Sequence, residues 1–75
     1  MGDVVRAKKA IVDNALYSVV CAGVRSLHAS RVDAIASAQR LIGEWSGLGY
    51  RRHASIYYRD GSFVAEVSAS REVTS

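Results

Sequence analysis

The chain has 75 residues, 49% hydrophobic and 23% charged, with a formal net charge of +3. That apolar content excludes a wholly disordered polar chain, and no apolar run nears the roughly 20 residues of a membrane-spanning helix. A single domain over residues 1–75 is expected. A core of that size seldom supplies more than about 3–5 kcal/mol, so added support is expected. Cys21 is the lone cysteine, so no internal disulfide supplies it. Self-association or a partner surface is the expected source instead, and an unpaired sheet edge makes homodimerisation an expectation. Residues 1–9 carry charge without an apolar stretch and a small-residue cleavage site, which points to a cytoplasmic location.

Residues 3–21 admit two readings. Val4, Val5, Ile11, Val12, Ala15, Leu16, Val19 and Val20 recur at helical spacing and suit one long helix. The alternative is a short helix over 4–12, broken at Asp13-Asn14, followed by strands. The β-prone run 17–21 and the breakers Asn14 and Gly23 favour the second reading. Ala22-Gly23 then turns the chain and 24–29 returns. The main helix spans about 31–46, with Ser30 as N-cap and Asp33 in its first turn. Ala34, Ile35, Ala38, Leu41, Ile42 and Trp45 form its apolar stripe, and Gly47 or Gly49 ends it.

A second hairpin follows. Residues 50–59 read as a strand, Asp60-Gly61 as a type I′ turn, and 62–68 as the returning strand. Alternation sets Tyr50, Ala54, Ile56 and Tyr58 on the helix side, joined by Phe63, Ala65 and Val67. Arg51, His53, Ser55, Tyr57 and Arg59 fall on the outer side, with Val64 and Glu66. Residues 70–75 read as a frayed tail. The expected fold is α+β, a small two-layer sandwich. An antiparallel sheet of 3–4 strands packs against one main helix, with a short N-terminal helix beside it.

Charge is distributed unevenly. Arg51, Arg52 and Arg59 stand without an acid in 50–59, and arginine outnumbers lysine eight to two. Arginine suits planar, bidentate contacts to phosphate or carboxylate. Arg51, Arg52, His53, Tyr57 and Arg59 are therefore the candidate partner-binding residues, because exposed Tyr and Arg are enriched at binding hot spots. Arg52 is turned by alternation towards the core side and must snorkel outward. The same residues suit single-stranded nucleic acid, where a ring stacks and arginines hold the backbone.

No catalytic, metal or cofactor site is expected. Cys21 lies in an apolar run and reads as core. His28 and His53 are far apart in sequence, and a catalytic zinc takes three protein ligands. His53 and Ser55 share a strand face, but no acid is placed by sequence to orient the imidazole. Gly47-Leu48-Gly49 follows a helix and precedes a strand, the reverse of a phosphate-binding loop.

The stretch 48–62 resembles the strand region of small toxin ribonucleases with a double-stranded-RNA-binding-like fold, which place a Gly-Ser-His group ahead of a Tyr- and Arg-containing hairpin. Here His53 is followed by Ala54-Ser55, a different order. The helix 31–46 with the hairpin 50–68 is similar in architecture to small phage and mobile-element proteins, anti-CRISPR proteins among them. That resemblance implies a non-enzymatic inhibitor that docks on a host nucleoprotein effector and blocks nucleic-acid or nuclease recruitment. Two alternatives stand beside it: a nucleic-acid-binding protein using the 50–59 strand, and a small ribonuclease using His53.

Overall fold

The computed structural model describes residues 15–75. The short N-terminal helix expected over 4–12 lies outside them. Five strands and one helix follow in order: β1 Tyr17–Cys21, β2 Val24–His28, α1 Arg31–Gly47, β3 Ala54–Tyr58, β4 Phe63–Val67 and β5 Val73–Thr74. All strand pairings are antiparallel, in the spatial order β2-β1-β3-β4-β5. The helix packs against this one sheet, so the α+β two-layer expectation holds, with β5 widening the sheet to five strands.

The helix is bounded as its sequence dictates. Ser30 Oγ accepts from the Asp33 N–H at 3.2 Å, satisfying a donor that the first turn leaves open. At the far end Gly49 adopts φ 89°. There the Tyr50 N–H donates to the Trp45 carbonyl at 2.9 Å and the Gly49 N–H to the Ser46 carbonyl at 3.0 Å. This pair of bonds is the Schellman closure, which needs a left-handed residue at the Gly49 position. The expected strand from residue 50 is therefore shorter, because Tyr50 belongs to the helix end and β3 begins at Ala54.

The first hairpin turns at Ala22-Gly23 as expected, whereas the second uses a different turn from the type I′ that its sequence suggests. At Ala22-Gly23 both residues have positive φ, 52° and 81°, the type I′ pattern. At Asp60-Gly61 only Gly61 does, with φ 90°. The Gly61 N–H donates to the Tyr58 carbonyl at 2.9 Å, and the Tyr58 N–H to the Ser62 carbonyl at 2.8 Å. That is a type I turn closed by a glycine bulge, a three-residue loop. Asp60 favours it by accepting from the Ser62 N–H at 2.8 Å and from the Ser62 hydroxyl at 2.6 Å. Those bonds hold the Asp60 carboxyl below its ordinary range.

The register of β3 with β4 then shifts between Ile56 and Tyr57. Ile56 pairs with Ala65, but Tyr57 pairs with Phe63. One residue is skipped, which corrects the alternation-based assignment. Phe63 turns outward, 55% exposed, and packs edge-on against Tyr57 at 6.1 Å. Val64 is half-buried against the core. The tail is also more ordered than its composition implies. The Arg71 N–H donates to the Ser68 carbonyl and the Ser68 N–H to the Glu72 carbonyl, both at 2.8 Å. This turn, with Arg71 at φ 68°, sets β5 beside β4.

The core lies between α1 and the sheet. Val19 and Cys21 of β1, Ala54 and Ile56 of β3, and Ala65 and Val67 of β4 meet Ala34, Ala38 and Ile42 of the helix. Four of these nine residues are alanine, so little apolar area is buried for the size of the sheet.

Candidate binding face

The helix covers one side of the sheet, and the cross-strand register defines what stands on the other. One row runs Arg25, Val20, Ser55, Glu66, Thr74 across all five strands. The next runs Leu27, Ser18, Tyr57, Phe63 across four. Ser18, Val20 and Tyr57 are half-buried, while Leu27 is 45% exposed. An apolar strip thus crosses a face that no described element covers. At its β2-β1-β3 end lies a concavity of about 510 Å³, lined by Ser18, Val20, Arg25, Leu27, Tyr57 and Arg59 and reaching Leu16, Tyr17 and Tyr58 at the end of the strands.

The five residues singled out by sequence do not form one patch. Tyr57 and Arg59 line the concavity. Arg51, Arg52 and His53 precede β3, at its opposite end. The Arg52 guanidinium lies 5.0 Å from the Trp45 ring centroid and 5.5 Å from that of Tyr50. Those two rings meet edge to face at 5.5 Å. Arg52 is therefore engaged in cation–π contact at the end of α1, consistent with its alternation towards the helix side. Arg51 is exposed.

Arg25 is the residue that sequence reasoning missed. It sits in β2, twenty-six residues before the arginine cluster of 51–52, and only the β1–β2 and β1–β3 pairings bring it to the face that carries Tyr57. Its alternation with Leu27 along the one strand β2 was the available signal.

His53 does have an acidic neighbour. Its Nδ1 stands 3.4 Å from Glu66 Oε1, with the two side chains 56% and 49% exposed. Ser55 is the register partner of Glu66 on the same face. A serine, an imidazole and a carboxylate thus share one end of the open face, but none of the three lines the concavity. His28, in contrast, is half-buried on the helix side and hydrogen-bonded to Ser26 at 2.8 Å. Cys21 is buried in the core; burial pushes its thiol pKa up, and the Arg52 charge offsets part of that rise. A raised pKa leaves the neutral thiol dominant, the opposite of an activated nucleophile. Among the described residues no three His, Cys, Asp or Glu side chains group as a metal site requires. No helix among them is long and apolar enough to cross a membrane.

Comparison with protein-family models, with curated proteins and with solved structures finds no match to the chain.

Proposed function

We propose that the chain is a small non-catalytic protein-binding module that works in the cytoplasm by occupying a partner's surface. One observation carries the reading: a sheet face that no described element covers, with Leu27, Val20, Tyr57 and Phe63 across it, flanked by Arg25 and Arg59. An apolar centre with aromatic and arginine anchors is the composition of a protein interface. A surface built for nucleic acid alone would rely on phosphate-contacting cations rather than exposed aliphatic side chains. The partner proposed is a host nucleoprotein effector, with nucleic-acid or nuclease recruitment blocked, as the anti-CRISPR resemblance implies. Its docking site would present an apolar knob flanked by carboxylates, matching the two arginines.

The test compares the wild-type chain with a Tyr57→Ala, Arg59→Glu variant. A tagged wild-type chain should retain a stoichiometric host protein after nuclease treatment and inhibit that protein's nucleoprotein activity. The variant should lose both while keeping the wild-type circular dichroism spectrum. Retention by the variant would remove the face from the reading, and loss of every partner on nuclease treatment would shift it to nucleic-acid binding. The ribonuclease alternative gains one specific observation, the Glu66 carboxylate beside His53. RNA cleavage by the wild-type chain that is abolished in His53→Ala would establish it.

A further inference from the structure

The rows of the open face have a symmetry that neither strand shows alone. Arg25 stands on β2 and Glu66 on β4, three strands apart in one row. In the neighbouring row Leu27 stands on β2 and Phe63 on β4, again three strands apart. Consider a twofold axis parallel to the strands and set over the line between β1 and β3. It lays β2 of one copy over β4 of the other, and β1 over β3. Arg25 then faces the second copy's Glu66 and Glu66 faces its Arg25, while Leu27 faces Phe63 and Ser18 faces Tyr57. Every contact occurs twice, as an isologous interface requires. An axis over β1 or over β3 instead sets Arg25 opposite Ser55 or Thr74 and leaves it without a facing carboxylate. The register selects one placement.

We infer that a second copy of this chain closes the sheet face that no described element covers, forming a four-layer helix–sheet–sheet–helix dimer held by two Arg25–Glu66 pairs about a centre of Val20, Ser55, Ser18 and Tyr57. This rests on the reading of that face as a binding surface and supplies its regulation: self-association and partner docking compete for it. Aligned packing of two sheets, at a mean angle of about 30°, accommodates the arrangement. The four strands in register span roughly 15–20 Å across and about 17 Å along. That patch is smaller than the roughly 800 Å² per partner of a standard stable interface, so the dimer is weak and exchangeable. A weak dimer is what competition with a partner needs, since a tight one would hold the face shut.

The experiment is sedimentation velocity from about 1 μM to about 1 mM chain, the range in which an interface of this size associates. The wild-type chain should pass from monomer to dimer across that range. Arg25→Glu alone and Glu66→Arg alone each set like charges opposite one another twice, and each should weaken association at least about tenfold. The double charge reversal, R25E with E66R, restores opposite signs and should recover the dimer. Both positions are exposed, and circular dichroism verifies that each variant is folded. A wild-type monomer at every concentration would overturn the inference, as would a dimer that ignores both single reversals or one that the double reversal fails to restore. None of those results touches partner capture by the wild-type chain, and loss of capture leaves the sedimentation result standing. The two readings therefore fail separately.

Discussion

Ala22 holds φ 52°, a left-handed conformation that its Cβ resists by roughly 1–2 kcal/mol. The β1–β2 turn needs positive φ at both central residues, and Asn-Gly meets that need at lower cost than Ala-Gly. Ala22→Asn should therefore stabilise the fold by about 0.5–1 kcal/mol, read as a rise of several degrees in melting temperature. An unchanged or lower melting temperature would mean that the turn is not held in this conformation. The same reasoning explains Asp60, whose dipeptide with Gly61 suggests the type I′ geometry that Ala22-Gly23 adopts. The Asp60 carboxylate finds two donors on Ser62 when its own φ stays negative, and those bonds settle the turn type. A carboxylate held below its ordinary range contributes stability above the unfolded pKa, and that contribution disappears as pH falls through the folded value.

At the scale of the element, the end of α1 is a joint in which backbone and side chains agree. The Schellman bonds bring Tyr50 back to Trp45, the aromatic contact fills the space between them, and Arg52 covers both rings. This joint fixes where β3 starts and hence which face its side chains occupy. Trp45 is the only tryptophan, so its emission reports on the joint directly. Arg52→Ala should shift that emission and cost about 0.5–1 kcal/mol, the range of an exposed cation–π contact, while leaving partner capture intact. If Arg52→Ala removed partner binding without changing the emission, Arg52 would belong to the interface rather than to the joint. The bulge between β3 and β4 acts on the same scale. It carries Phe63 outward to Tyr57 instead of into the core, whose buried residues include no aromatic.

For the whole molecule, the balance between core and sheet sets stability. Among the described residues a core of nine, four of them alanine, is shared between one helix and three of the five strands, β1, β3 and β4. Ile56 is fully buried at its centre. Ile56→Val removes one methylene group and should lower stability by about 0.5–1.5 kcal/mol in chemical denaturation. Ile56→Ala should cost about 2–5 kcal/mol, comparable with the entire stability of so small a core, and leave the chain largely unfolded at room temperature. A folded Ile56→Ala protein would show that another surface carries much of the stability. The open face is the place where such support can act, because whatever binds the folded form alone raises its apparent stability.

The sequence by itself determined the elements whose signals are local. Ser30 and Asp33 mark the start of α1, the stripe from Ala34 to Trp45 marks its buried side, and Gly47 or Gly49 marks its end, the structure selecting Gly49. Alternation placed Ala54, Ile56, Ala65 and Val67 in the core and Tyr57 and Glu66 outside it. These are decided by propensity, capping and period, which act over a few residues. Tertiary structure alone decided what depends on register between distant strands: the outward turn of Phe63, the ordering of β5, the pairing of His53 with Glu66, and the arrival of Arg25 on the face that carries Tyr57. The bulge illustrates the reason. A one-residue slip costs little locally, yet it reverses the facing of every side chain beyond it, so the make-up of the sheet face opposite the helix is written in the pairing of strands rather than in any one of them.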